Sequence, residues 1–190
     1  MWMMELYSKD SFSSYREIKT IVFDFDGVFT DNKVWVNESG DEWVRCDRGD
    51  GLAFDLLRNF IEKNNWNLDY FILSKEQNKV VSSRANKIKV RNFQGVESKI
   101  DFMQSYFKKN SKSSKGFIFL GNDLNDLGAM SLAEFVVAPK NSHPKVLEIA
   151  DLVISRDGGD SFVREFIEIL IGIKELPAEA INDLLVFERN

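Results

Sequence analysis

Short apolar runs alternate along this chain with longer stretches in which apolar positions recur every three or four residues. The runs lie at residues 20–25, 69–73, 90–93, 116–120, 135–138 and 152–154. They are rich in Val, Ile and Phe, which suits strands buried on both faces of a parallel sheet. Between them, Leu52, Leu56, Leu57, Phe60 and Ile61 follow helical spacing behind Asp50, a residue type that caps helix starts. Val80, Val81, Arg84 and Ile88 are spaced along a polar helix over 76–89. Ile100, Met103, Tyr106 and Phe107 form the inner face of one starting near Ser98. A helix opened by Pro144, another over 161–173 and a tail helix over 177–187 complete the pattern. One segment breaks the rhythm: residues 33–46, KVWVNESGDEWVRC, hold two short β-rich stretches around Glu38-Ser39-Gly40-Asp41, a hairpin signal.

Strands alternating with helices predict an α/β fold, a doubly wound parallel sheet of Rossmann-like type with right-handed crossovers and a protruding β-hairpin. No linker or internal repeat divides it, so a single domain is expected over 1–190, with its core at about 18–173 and residues 1–16 as a loosely ordered lead-in.

Composition narrows the possible partners. The net charge of −5 argues against a general affinity for nucleic acid or an anionic membrane. A lone cysteine, Cys46, cannot form an internal disulfide and fits a reducing cytoplasm. The single histidine, His143, rules out a multi-histidine metal site, and its place before Pro144 suits a helix entry. The opening MWMMELYSKDSF is too polar for a secretory core, and the apolar stretch at 166–173, interrupted by Glu168, is too short to span a bilayer. A cytoplasmic protein is expected.

Candidate chemistry sits where the predicted strands end. IVFDFDGVFTD delivers Asp24 and Asp26, then Thr30 and Asp31. Ser74 follows YFIL, Lys99 lies in QGVESK, and GNDLND after FIFL supplies Asn122, Asp123 and Asp126. The carboxyl ends of parallel strands converge on one crevice, where such sheets bind ligands. Side chains two apart on a strand share a face, so Asp24 and Asp26 would crowd unless the chain turns between them or a cation sits there. Hard oxygen donors in this number suit Mg2+, while a hydroxyl and a lysine beside them suit phosphoryl oxygens. A carboxylate can attack phosphorus, giving an aspartyl-phosphate that water then opens.

This order of motifs resembles the haloacid dehalogenase superfamily of phosphohydrolases, whose DxDGxhTD signature reads IVFDFDGVFTD here. The resemblance covers about residues 18–173. It implies Asp24 as nucleophile and Asp26 as general acid/base, with the Asp26 backbone carbonyl also touching magnesium. It implies Ser74 and Lys99 as ligands of the transferring phosphoryl group, and a remaining metal ligand from GNDLND. The family usually has Asp directly after that glycine; this chain has Asn122, which leaves Asn122 and Asp123 as alternative ligands.

Too few residues separate Asp31 from Ser74, or Ser74 from Lys99, for a cap domain. The capless branch it resembles contains 3-deoxy-D-manno-octulosonate 8-phosphate and acylneuraminate 9-phosphate phosphatases, through VWVNESGDEW, CDRGDG, QG…K and DGGDSFVREF. The apolar hairpin is expected either to fold back on its own sheet or, the preferred reading, to roof a neighbouring subunit's crevice in a homotetramer. Glu76, Arg84 and Lys87 lie broadly on one helix face and are expected to read a sugar-acid phosphate. Where the octulosonate branch usually has an arginine after the Ser74 turn, this chain has Glu76, which favours nine-carbon acylneuraminate-type substrates. Asp47, Asp50 and Gly51, with Gly158-Gly159 and Arg164, are expected near the substrate. The rival reading is a non-catalytic oligomerisation or regulatory module, like the similar domains fused behind acylneuraminate cytidylyltransferases.

Overall fold

A computed structural model describes residues 14–186; the lead-in before Ser14 and the last residues of the expected tail helix, from Phe187, lie outside the described residues. The sheet strands are β1 (Thr20–Phe23), β4 (Asp69–Leu73), β5 (Arg91–Phe93), β6 (Phe117–Leu120), β7 (Phe135–Pro139) and β8 (Leu152–Ile154). All pair in parallel, in the order β5-β4-β1-β6-β7-β8. β1 is therefore central, and the chain's direction of travel across the sheet reverses beside it. A doubly wound sheet opens its ligand crevice at that reversal.

Alternation within the strands builds two cores. Ile21 and Phe23 of β1 and Ile118 and Leu120 of β6 point to one face; Val22, Phe117 and Phe119 point to the other. The first face packs under α1 (Gly49–Lys63), α2 (Lys79–Lys87), α6 (Phe162–Leu170) and α7 (Ala178–Leu185). The second packs under α3 (Lys99–Lys109), α4 (Leu127–Met130) and α5 (Pro144–Leu147). Every residue of β1 and β6 is buried, as central strands covered on both sides must be.

Several boundaries differ from the sequence reading, each for a local reason. α1 begins at Gly49, so Asp50 lies inside its first turn and does not cap it. α2 begins three residues later than expected because the Asn78 side chain accepts the Val80 amide and caps it there. α6 closes at Leu170, where Ile171 leaves helical geometry and Gly172 turns left-handed at φ 68°. His143 caps α5 through its ring nitrogen, a helix-entry role.

β2 (Trp35–Val36) and β3 (Glu42–Trp43) form the separate hairpin, with Trp35 opposite Trp43. The hairpin does not join the main sheet. Its indoles are 72% and 59% exposed. No helix among the described residues is long and apolar enough to cross a membrane.

Candidate active site

β1 stops at Phe23, and the Asp24 amide still reaches across to the Leu120 carbonyl at 2.8 Å. The chain then turns. Gly27 takes φ 82°, and a Cβ there would lie 2.0 Å from the Asn122 amide nitrogen, so only glycine fits. The turn resolves the expected crowding. Asp24 and Asp26 both line one crevice of about 580 Å³, yet only Asp24 is fully interior. Ser74, one residue past β4, lines the same crevice; its hydroxyl oxygen accepts the Glu76 amide at 3.1 Å and keeps its proton free to donate.

Lys99 enters from the second face. Ser98 caps α3 and sets Lys99 as its first residue, with the ammonium driven inward. Nζ donates to Asp24 Oδ1 at 2.5 Å and to Asp126 Oδ1 at 2.6 Å, and all three side chains are almost wholly buried. The other oxygen of Asp126 accepts the amides of Asn122 at 2.9 Å and Asp123 at 3.2 Å. Asp126 thus organises the loop that carries Asn122.

Burial sets the proton affinities. Asp24 is pushed up to about 7, first by desolvation and then by the Asp126 carboxylate, against the opposing pull of Lys99. Asp26 is raised by burial and then by Glu76. Burial alone would lower Lys99, but Asp24 and Asp126 carry it above its ordinary value. Asp24, held by the Lys99 ammonium at the end of β1, is placed as a nucleophile, and Asp26, turned into the same crevice two residues on, as a group that can exchange protons.

The residues fit a divalent cation. Among the described residues no three acidic, histidine or cysteine side chains converge, so any third side-chain oxygen must come from an amide. Asn122 supplies one: its Oδ1 is buried with no hydrogen-bond partner, an arrangement that is costly unless a cation satisfies it. Asp123 lines the crevice, and one of its carboxylate oxygens caps the Leu124 amide at 2.7 Å. Both alternatives therefore keep an oxygen for a cation, that of Asn122 being the one left unpartnered in the interior.

Other expected site residues fall into three groups. Glu76 lines the crevice, with Val34, Glu42 and Val44 of the hairpin segment. The hairpin segment thus reaches its own chain's crevice, whereas the preferred of the two expectations has it roof a neighbouring subunit's. Thr30 is buried and its hydroxyl donates to Asp26 Oδ1 at 3.5 Å, while Asp31 pairs with Arg45 at 3.2 Å. Asp47, Asp50, Gly51, Arg84 and Lys87 do not line the crevice. Arg84 donates to the Asp47 carbonyl, Asp47 accepts from Ser161, and Lys87 is solvent-exposed. The expected recognition patch is thus reduced to Glu76, because α2 turns Arg84 toward the start of α1.

Glu42 and Asn78 were not anticipated. Asn78 Nδ2 donates to Glu42 Oε2 at 2.6 Å, tying β3 to the start of α2. An asparagine just before Lys79-Val80-Val81 is a capping signal that the sequence carried.

Asp50 is 1% exposed, and its carboxylate accepts the Arg164 amide at 3.2 Å. Desolvation, then Asp47, pushes it up to about 7 against Arg84 and Arg164. A raised carboxyl binds its proton more tightly in the folded state, so its contribution is complete below about pH 4 and lost as pH rises toward 7. Asp50→Asn keeps an acceptor for the Arg164 amide and removes the charge. At pH 8 it should raise the unfolding free energy relative to the parent by up to about 4 kcal/mol, with little difference at pH 4. Urea denaturation at the two pH values measures this; an equal effect at both would refute it.

Comparison with known proteins agrees with this geometry. The haloacid dehalogenase-like hydrolase profile matches residues 57–165. The 3-deoxy-D-manno-octulosonate 8-phosphate phosphatase KdsC of Escherichia coli (strain K12) is 24% identical over 165 residues, 86% of this chain and 85% of that protein. A Streptomyces avermitilis protein described as a HAD family hydrolase superimposes with a TM-score of 0.77 at 34% identity, over 85% of this chain and 95% of the other. The Moraxella catarrhalis 3-deoxy-D-manno-octulosonate 8-phosphate phosphatase, crystallised with magnesium, phosphate and KDO, shares the fold with a TM-score of 0.77 at 24% identity, over 97% of each chain. Its profile match over more than half the chain, together with a relative a third identical along most of its length, makes this protein a member of the haloacid dehalogenase-like hydrolase family.

Proposed function

We propose that the chain is a magnesium-dependent phosphomonoesterase that acts on a sugar-acid phosphate through an aspartyl-phosphate at Asp24. The observation that carries this reading is the buried Asp24–Lys99–Asp126 triad opening onto a crevice shared with Asp26 and Ser74. The Asp24 oxygen not held by Lys99 attacks phosphorus, and the bond from phosphorus to the sugar oxygen breaks. Asp26, in its protonated form, passes a proton to that leaving oxygen. Asp26 then takes a proton from water as the water attacks the aspartyl-phosphate, and inorganic phosphate leaves with Asp24 regenerated. Ser74 donates its hydroxyl to the phosphoryl oxygens, and the Lys99 ammonium balances charge beside them. Magnesium held by Asp24, the Asp26 carbonyl and Asn122 would neutralise the phosphoryl charge during transfer.

A sugar acid is favoured by the two 3-deoxy-D-manno-octulosonate 8-phosphate phosphatases named above, whose names give an eight-carbon sugar-acid phosphate as substrate. Glu76 in the crevice, in place of an arginine, supports an acylneuraminate-type 9-phosphate over the 8-phosphate of 3-deoxy-D-manno-octulosonate. A panel of sugar-acid phosphates with magnesium tests both parts. Steady phosphate release is expected, highest on the nine-carbon acid; an octulosonate preference above about tenfold, some 1.4 kcal/mol, reverses the substrate order. No turnover across the panel would favour the non-catalytic module.

A closed homotetramer is part of the same proposal, and the exposed hairpin is the surface that supports it. Trp35 and Trp43, paired across the hairpin and 72% and 59% exposed, share one face of a two-stranded element that is marginal alone. A second copy of the chain is the partner proposed to cover it. Light scattering at micromolar concentration should give four times the chain mass of 21.9 kDa. A monomeric mass with activity intact would remove this part of the reading.

A further inference from the structure

Residues 158–161 return beneath the turn that carries Asp26. A Cβ on Gly158 would lie 1.8 Å from the Gly27 carbonyl oxygen, and one on Gly159 would lie 2.4 Å from the Thr30 carbonyl carbon. The Gly159 amide donates to the Val28 carbonyl at 3.0 Å. Two backbones therefore touch with no side chain between them, so any shift of one is passed directly to the other. On the upper backbone, Thr30 Oγ1 accepts the amides of Gly27 and Asn32, each at 3.2 Å, and donates to Asp26 Oδ1.

What holds the glycine pair in place comes immediately after it. Ser161 sits in the left-handed region at φ 60°, a conformation that costs energy for a residue with a side chain. Its hydroxyl donates to Asp47 Oδ2 at 2.6 Å, and Arg164 donates its amide to Asp50. Asp47 is itself fixed: its other oxygen accepts the Gly49 amide at 2.6 Å, and its carbonyl accepts from Arg84. One residue earlier, Cys46 forms a backbone bridge to Thr30. The segment gripped by the clamp thus touches the Asp26 turn from two sides.

We infer that the Asp47–Ser161 hydrogen bond clamps Gly158-Gly159 against the Gly27–Thr30 turn and thereby positions Asp26 for proton transfer. Asp47 and Ser161 are positioning residues, remote from the substrate, and this role rests on the reading of Asp26 as the acid. A displacement of the order of 1 Å in a reacting group can cost about 10²-fold in rate.

The test uses Ser161→Ala, Asp47→Asn and Asp47→Ala in the full chain. Amide hydrogen exchange at Gly27 and Asn32 is read first and does not depend on activity. Both amides should exchange at least tenfold faster in Ser161→Ala, and unchanged exchange there overturns the clamp even if no phosphate ester is turned over. With p-nitrophenyl phosphate and magnesium, kcat should fall about 10- to 100-fold in Ser161→Ala with KM within threefold. Asp47→Asn by itself, which keeps one acceptor and a polar partner for Ser161, should retain most of the parent kcat. Adding Ser161→Ala to Asp47→Ala should lower kcat little further, because Asp47→Ala already removes that bond; if Asp47→Ala does not fold, the other two variants decide. A raised KM at constant kcat would instead place these residues on the substrate, and a lowered Tm with both constants unchanged would make the bond purely structural. Either result overturns the proposal.

Discussion

Asp24→Asn should abolish phosphatase turnover while leaving the fold intact. An amide cannot form the phospho-enzyme, so kcat is expected to fall about 10⁴-fold or more, roughly 5 kcal/mol of transition-state stabilisation. The fold should survive because Lys99 keeps its second partner, Asp126, at 2.6 Å. Burying the Asp24 carboxylate is itself costly, which is why its proton affinity rises to about 7, led by desolvation. A folded-state value raised above the ordinary 3.8 means stability lost as pH climbs toward 7, and the amide does not suffer that loss. The Tm of the metal-free variant at pH 8 should therefore match or exceed that of the parent. Phosphate release and a thermal melt on one preparation check both halves. Retention of more than about 1% of parent kcat would remove Asp24 from the chemistry.

Lys99→Met should have the opposite profile, a large stability loss that depends on pH. The variant leaves Asp24 and Asp126 facing each other without the ammonium that both contact, with both side chains almost wholly buried. Breaking a buried ion pair by removing one partner costs about 3–5 kcal/mol. For a chain of this size that corresponds to a Tm drop of the order of 10 °C in the presence of a chelator at pH 8. The sign of the pH dependence follows from Asp24: with its carboxyl pushed up toward 7, acidification to pH 5 protonates it and removes one of the two stranded charges. The deficit should therefore shrink at pH 5. Asp24→Asn added to Lys99→Met should recover part of the loss, since the two changes act on one contact. A Tm within about 2 °C of the parent at pH 8 would mean that the three groups are not packed as described.

The two variants separate the roles within the triad. If Asp24→Asn is inactive but stable and Lys99→Met is unstable in proportion to pH, the lysine pins the nucleophile and balances its charge. If Lys99→Met stays folded and loses only kcat/KM, its main work is on the incoming phosphoryl group.

Much of the site was legible before any coordinates because a parallel sheet converts spacing into proximity. Asp24, Ser74 and Asn122 each lie within two residues of the carboxyl end of a strand, so locating the strands was enough to gather them along one edge. The β1 motif and the unbroken apolar runs made those strands easy to find, and the short intervals before Ser74 and Lys99 excluded a cap. Asp126 was placed with its loop for the same reason. Where the reading went astray, the deciding contacts lie far apart along the chain. Asp47 and Ser161 meet across 114 residues, Arg84 and Asp47 across 37, and Asn78 and Glu42 across 36. No periodicity reports such pairs.

Pattern and spacing along the chain carried the fold class, the strand-end convergence of the acidic residues and the lysine, and the presence of a hairpin, since all of these follow from local backbone preference and the burial of apolar faces. That Asn122 keeps a buried, unpartnered oxygen, which way Arg84 turns from its helix, and that Asp47 and Asp50 accept from Ser161 and the Arg164 amide emerged only once the elements were packed. Those outcomes depend on the direction of individual side chains and on competition for hydrogen-bond partners, and both are settled by neighbours that arrive from distant parts of the chain.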